Sequence, residues 1–403
     1  MVKTFRLDIC LVEEQFEMVQ YVEKGRKPRW RYFPKEGHPQ AVTRFDGTRI
    51  TPGFLQAIAY EVYVKNVIFG LLHQWLGDMG MTVSENTLRN WLKKGRKYLD
   101  RMVVELKRIA LEKDAVVNCD ETWCKVRKYD RYKKCYMWVL VNKAERVVIF
   151  FYEDGSRGRD VLTNFLGDAE LKALMSDGYN AYVFIGDGLK THRYKDTDHQ
   201  VCLAHVRAKF VKARMEGGDK RADVFLDNIN RLFRFEREYD REMITDGERT
   251  RRRQGLPTME AMINLRANLL QELKSEEEQK SCYMREALNY LHKFWNEAFT
   301  YIKDGRYPIS NNLAERAVRP FTTKRKNSLH FGSDEGAEIA AVYHSIISTV
   351  KLQGRSAWGY LGKFFTGIFN GCRDFFESDT TKYRLGSMPI VKKNQSNFNS
   401  NFL

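Results

Sequence analysis

The chain has 403 residues, 43% of them hydrophobic and 30% charged, and its 68 lysines and arginines outweigh 52 aspartates and glutamates for a formal net charge of +16. That length supports one large core with smaller units, or two to three domains, and the charge describes a surface that attracts polyanions, nucleic acid first among them. No run approaches the roughly 18 apolar residues of a membrane span, the N-terminal stretch MVKTFRLDICLVEEQFEM carries acids where a signal peptide needs an apolar core, and the seven cysteines form no Cys-x-x-Cys pair. These features argue against a membrane protein, a disulfide framework and a zinc ribbon, and in favour of a reducing cytoplasm.

Residues 1–47 are polar and mixed in sign, and YVEKGRKPRWRYFP alternates basic with aromatic residues, as a small β-rich unit would. From Thr51 the pattern turns helical. In SENTLRNWLKKGRKYL, Ser84 is placed to cap a helix with Leu88, Trp91 and Leu92 on one face and Arg89, Lys93 and Lys94 elsewhere. Residues 48–112 are open to two readings, a helix-turn-helix DNA-binding segment or an amphipathic helix packed by its Leu and Trp.

Residues 113–210 carry three strands, AVVNCDETWCKV, CYMWVLVN and RVVIFFYE, separated by charged turns around Lys133 and Lys143. A helix over RDVLTNFLG, a strand LKALMSD, a turn or helix at GYNAY, and a strand at HQVCLAHV running into a helix complete the order βββαβαβ. The expected fold is α/β: a ribonuclease-H-like mixed five-stranded sheet with flanking helices, the first strand central and the fourth beside it. Residues 211–303 form a large helical insertion marked by Phe225, Ile229, Leu232, Phe233, Met262, Leu265, Leu269, Leu288, Leu291, Trp295 and Ala298. Its RTRRR run at 249–253 is either a phosphate contact or a solvated helix face. Residues 304–372 complete the core, and the Asn- and Ser-rich tail 373–403 is expected to fray.

Three acids stand out against this frame. Asp120 and Asp177 end apolar runs, and Glu315 lies in PISNNLAERAVRP, where Asn311 or Asn312 can start a helix that carries it inward. Converging carboxylates repel one another and resist desolvation unless divalent cations neutralise them, and an oxygen-only set favours Mg2+ or Mn2+. Two such ions roughly 3.5–4 Å apart support phosphodiester chemistry. Glu121 alternates to the opposite sheet face and is read as non-catalytic.

Five blocks in order, VNCDETW, LMSDGYNAY, CLAHVRAKF, the stretch from EALNYLHKFW to LHFGS, and GAEIAAVYHSIISTVKLQG, resemble the transposases of bacterial insertion sequences of the insertion-sequence 66 group over about residues 50–370. The resemblance implies a DDE transposase in which Asp120, Asp177 and Glu315 are catalytic and bind two Mg2+ or Mn2+ ions. Its expected reactions are hydrolysis at the element's ends and attack of the exposed 3′-hydroxyls on target DNA. Arg316, Arg319, Lys324, Arg325 and Lys326, all within eleven residues of Glu315, are the expected backbone contacts, together with His205 and Arg207. Cys202 and His205 match a family block; lacking a second ligand pair, they are read as support for the site, or DNA contact by His205, rather than zinc ligation. Asn311 and Asn312 are expected to fix Glu315 through a helix cap.

The implied partners are double-stranded DNA, both inverted repeats and target, a second copy of the chain or more when two ends are paired, and accessory proteins of the same element. The implied location is the bacterial cytoplasm, at the nucleoid when DNA is bound. The family's upstream cysteine-containing zinc region has no counterpart but Cys10, so a shortened or truncated member is open. Two alternatives use the same residues: a ribonuclease-H-like nuclease or resolvase without strand transfer, and an inactive DNA-binding relic.

Overall fold

The computed structural model describes residues 11–12, 19–22, 24–31, 48–129, 131–187, 190, 192–275 and 280–372. Near the N-terminus, β1 (Val19–Tyr21) and β2 (Arg29–Arg31) pair antiparallel. Residues 1–10, Cys10 included, 13–18, 23 and 32–47 of the expected β-rich unit, and the tail from 373, lie outside the described residues. Helices α1 (Pro52–Tyr63), α2 (Phe69–Asp78) and α3 (Glu85–Ala110) follow. Thr51 and Ser84 cap α1 and α3, their hydroxyls accepting from the amides of Phe54 and Thr87. Leu88, Trp91 and Leu92 are buried along α3 with Leu99, Met102 and Leu106, so this face is a packing face. On its other side Arg89 pairs with Glu85 and Lys93 with Glu335.

The sheet is built from β3 (Val116–Lys128), β4 (Arg131–Asn142), β5 (Val147–Phe151), β6 (Ala173–Ser176) and β7 (Asp198–Val201), with α4 (Arg159–Leu166) and a 3-10 turn (Asn180–Tyr182) between them. Its order is β5-β4-β3-β6-β7; β3, β4 and β5 are antiparallel, and β6 and β7 run parallel to β3. The β3–β4 hairpin is longer than the sequence reading placed it. Lys133 does not mark the turn but pairs with Val126 inside the ladder, and the chain reverses next to Tyr129, which takes a left-handed φ of +48°. The cause is the alternation that continues past Cys124: Cys124 and Val126 are buried while Lys125 and Arg127 are exposed, and on β4 the exposed Lys133 and Lys134 lead into buried Cys135.

That alternation sorts the two faces. Val117, Cys119, Trp138, Leu140, Val147 and Ile149 pack with α1, α3, α4 and the C-terminal helices α12 (Asp334–Leu352) and α13 (Ala357–Phe369) in one continuous cluster. Cys124, Val126, Met137, Val139, Val148 and Phe150 pack on the other face against Ala314, Val318 and Phe321 of α11 (Asn312–Ser328). Helix α12 also runs along the edge of β5, where Thr349 and Ser345 hydroxyls accept from the Val148 and Phe150 amides at 2.9 and 2.8 Å.

Between β7 and α11 come α5 (Leu203–Met215), α6 (Ala222–Glu242), α7 (Asp246–Arg253), α8 (Leu256–Lys274), α9 (Cys282–Lys293) and α10 (Trp295–Phe299). They enclose a second core containing Phe210, Phe225, Ile229, Leu232, Leu265, Leu269, Leu288 and Leu291, with Phe233, Met262 and Trp295 at its rim. The RTRRR run divides between core and solvent: the Arg251 side chain is 78% exposed and that of Arg252 36%, while Arg249 and Arg253 turn inward. Arg253 is 1% exposed, forks onto Glu236 at 2.8 and 2.7 Å and donates to the carbonyls of Tyr301 and Asp304. Arg249 pairs with Glu236 and Asp240, and Arg251 and Arg252 with Glu248. No described helix is long and apolar enough to cross a membrane.

Candidate active site

Strands β3 and β6 set the first two acids. Val116 lies opposite Ala173, Val117 opposite Leu174 and Asn118 opposite Met175, a constant offset of 57 positions (173 minus 116). Asp120 and Asp177 are separated by the same 57 positions (177 minus 120), so the register continued two residues beyond the last pair places them side by side where β6 ends. Asp120 shares its face of β3 with Cys124 and Val126, the residues that pack beneath α11.

The electrostatics match this placement. Burial pushes the Asp120 carboxyl up to about 8, helped by the negative charges of Glu121, Asp177 and Glu315. Glu121 turns to the opposite face, as alternation requires. There Arg157 forks onto one carboxylate oxygen at 2.9 and 2.7 Å and the Tyr182 hydroxyl donates to the other at 2.5 Å. Arg157 and Tyr182 carry no sequence signal that separates them from ordinary loop and core residues.

Asp177 is held from two sides. Its Oδ1 accepts the Tyr179 amide at 2.9 Å, and its backbone carbonyl accepts the hydroxyl of Tyr290 from α9. Gly178 makes the approach possible. It has φ +80°, and a Cβ there would meet the Tyr290 hydroxyl at 2.8 Å and the Phe294 ring at 3.2 Å. The insertion therefore props the loop of the second acid, a contact the sequence reading missed.

Glu315 sits in the first turn of α11. Asn311 occupies the position before that helix, yet its side chain makes no capping bond; the expected cap is replaced by a cross-link to the sheet. Fully buried, Asn311 accepts from the Asn118 amide nitrogen at 2.9 Å, donates to the Cys119 carbonyl at 2.9 Å, and sends its backbone N–H to the Cys202 sulfur at 3.0 Å. Asn312 is exposed at the first helical position.

The CLAH block arrives at the same place. His205 Nδ1 lies 3.7 Å from Glu315 Oε1, and single ligand atoms of Cys202, His205 and Glu315 lie within 4.8 Å of one another. Sequence spacing offered no second pair for Cys202 and His205; the fold supplies Glu315. Burial pushes the Cys202 thiol up to about 11, and its sulfur already accepts an N–H, so this mixed trio is a poor thiolate site. The oxygen set fits a hard dication better: a carboxyl kept protonated by burial and three like charges is the group that a Mg2+ or Mn2+ ion would ionise.

The basic residues expected at the DNA divide into three groups. Arg316, Arg319 and Lys326 are exposed and form no ion pair among the described residues. Arg325 donates to Thr122 Oγ1 at 3.0 Å and the Trp123 carbonyl at 2.7 Å and stacks 4.0 Å from the Trp123 ring, and Arg207 donates to Asn230 at 2.7 Å. Lys324 departs from expectation. It is 7% exposed, its ammonium lies 3.9 Å from the Tyr63 ring centroid, and burial lowers it to about 7. It cannot reach a phosphate from there.

Fold and site together define an α/β protein whose mixed sheet gathers acids beneath a helix and beside an all-helical insertion. The chain belongs to the Transposase IS66 family, whose sequence model matches residues 47–339. Three proteins of Sinorhizobium fredii (strain NBRC 101917 / NGR234) are similar to it. Uncharacterized protein y4jD is 26% identical over 359 residues, 84% of this chain and 67% of that protein. Uncharacterized protein y4qI is 27% identical over 226 residues, 56% of this chain and 41% of that protein, and uncharacterized protein y4hP is 25% identical over 252 residues, 58% and 44%. The chain thus spans about two thirds of the first relative and less than half of the other two.

Proposed function

We propose that this chain is the DNA transposase of a bacterial insertion sequence, cutting the element's ends by hydrolysis and joining the exposed 3′-hydroxyls to target DNA on a ribonuclease-H-like core. The observation that carries the reading is the offset of 57 (173 minus 116) shared by the β3–β6 ladder and the pair Asp120–Asp177, with Glu315 near enough to raise Asp120. Asp120, Asp177 and Glu315 would hold two Mg2+ or Mn2+ ions. When bound, such ions supply activation of the attacking hydroxyl and neutralisation of the leaving oxygen.

The remaining work falls to the protein. Asn311 ties the start of α11 to β3 and so aims Glu315; Tyr179 and Tyr290 fix the Asp177 loop; His205 faces Glu315 and orients it. Arg316, Arg319 and Lys326 present free cations to the phosphodiester backbone, and Arg325 and Arg207 stand at the margin. Element-end recognition would fall to the residues of 48–112 outside its packed Leu–Trp face, and the insertion 211–303 offers a surface for DNA or a protein partner. Pairing two ends calls for a dimer or a larger assembly, with accessory proteins of the element as further partners. The working location is the nucleoid.

Labelled element ends incubated with Mg2+ or Mn2+ should be nicked and then joined to target. Asp120→Asn, Asp177→Asn and Glu315→Gln should each abolish both steps and leave DNA binding within about threefold. Cleavage that survives one of these changes removes that residue from the site. Cleavage without joining identifies a nuclease instead.

A further inference from the structure

Beside α5 lies a cavity of about 230 Å³ lined by His205, Ala208, Lys209, Lys212, Tyr283 and Glu286. One end is His205, 3.7 Å from Glu315; at 1.5 Å of rise per residue, Lys212 lies roughly 10 Å farther along the helix. The opposite wall belongs to α9. Its half-buried Tyr283 has the Lys212 ammonium 4.4 Å from the ring centroid, and its Glu286 pairs with Lys209 at 2.5 Å. Lys209 in turn lies 4.8 Å from the ring of Tyr290, the residue that holds the Asp177 loop.

These features specify an occupant. The volume falls below the roughly 300 Å³ at which pockets for drug-sized ligands begin, which suits one planar ring. An aromatic wall can stack on any base once the Lys212 ammonium beside it swings aside, and Lys212 is held only by a loose contact to Glu216 at 3.9 Å, so its ammonium can exchange that carboxylate for one phosphate. The position, one to two helical turns from Glu315, suits the nucleotides next to a cut.

We infer that the α5–α9 groove receives an unstacked nucleobase with its phosphate from the strand beside the scissile bond, Tyr283 stacking on the base and Lys212 meeting the phosphate. The identity of that strand rests on the DNA-cutting reading above; occupancy of the groove does not. Glu286, paired to Lys209, acts as the counter-charge that an incoming phosphate must displace.

The test reads binding, with Ca2+ in place of Mg2+ to suppress cutting, using a mixed-sequence duplex and the same duplex with a short unpaired overhang carrying 2-aminopurine. Fluorescence of the overhang base should fall on binding. Tyr283→Ala should abolish that quench and weaken overhang binding about tenfold while duplex affinity changes less than about twofold. Tyr283→Phe should behave as the parent, and Glu286→Gln should tighten overhang binding. Equal weakening of duplex and overhang by Tyr283→Ala, or a quench that persists without the ring, overturns the inference. Groove binding without any cleavage by the parent protein overturns the transposase reading alone, and cleavage without groove binding overturns this one alone.

Discussion

The hydroxyl of Tyr290, in the helical insertion, donates to the backbone carbonyl of Asp177, at the end of the sheet's fourth strand. One hydrogen bond thus joins an element of the second core to a loop of the first. Tyr290→Phe keeps the ring that packs against the second core and removes only the donor. Stability should fall by about 1 kcal/mol. Cleavage should fall roughly ten- to a hundredfold at unchanged DNA affinity, because a small misplacement of a ligand loop is felt in the reaction step. Single-turnover rates beside equilibrium binding would check it; a parallel loss of both would make Tyr290 merely structural.

The Asn311 side chain makes two buried bonds, one as acceptor and one as donor, beside the backbone N–H that any replacement but proline would keep. Asn311→Ala leaves the Asn118 amide and the Cys119 carbonyl without their partner and should cost about 2–4 kcal/mol. Urea unfolding measures this. The variant should also need more Mg2+ for half-maximal cleavage, since Glu315 begins the helix that Asn311 anchors.

Lys324 yields a pH-dependent prediction. Its ammonium is enclosed by the Tyr63 ring and by α12, whose buried His344 lies near enough for Lys324 to disfavour its protonation. With the folded value lowered to about 7 from an ordinary 10.5, the unfolded chain binds more protons between those limits. The native state therefore gains stability as pH rises from about 7 towards 10 and carries the full penalty below 7. Lys324→Met should stabilise the protein by on the order of 2–4 kcal/mol at pH 6, and the difference should shrink as pH approaches 10. Thermal unfolding across that range decides the matter, and a gap independent of pH would contradict it.

The free cations of α11 should register in salt dependence. Arg316→Ala, Arg319→Ala and Lys326→Ala should each lower the slope of log affinity against log salt by about 0.9 if each meets a phosphate. Lys324→Met should leave the slope unchanged. A slope that moves for Lys324 and not for its exposed neighbours would reverse the assignment.

Within the insertion, Glu236→Ala leaves buried Arg253 with carbonyl partners but no counter-charge and should cost about 3–5 kcal/mol. DNA affinity at permissive temperature should hold, which separates a structural arginine cluster from a phosphate-binding one.

The strands around Asp120 were legible because β-branched and aromatic residues crowd them, the strand before Asp177 because it is a short apolar run ending in an acid, and the central place of β3 followed from the order of elements. The turn after β3 was not legible, since a hairpin whose outer face is lysine and arginine looks like a charged loop. Lys324 was hidden in the same way. In a run of basic letters nothing marks the one that turns inward, although Ala314, Val318 and Phe321 lead to it along one helical stripe. Asn311 looked like a cap because asparagine usually is one there; its cross-strand partners lie 192 and 193 positions away. Tyr290 had no local signal at all, because its role exists only once α9 has docked beside Gly178.

The hydroxyls of Ser345 and Thr349 have a bearing on assembly. By taking the outward amides of Phe150 and Val148, they leave no free ladder along β5 for a strand of another molecule. Copies of this chain cannot join by continuing the sheet on that side unless α12 first lifts away. On that edge of the sheet, contact with another molecule is left to the outer surface of α12 rather than to backbone pairing.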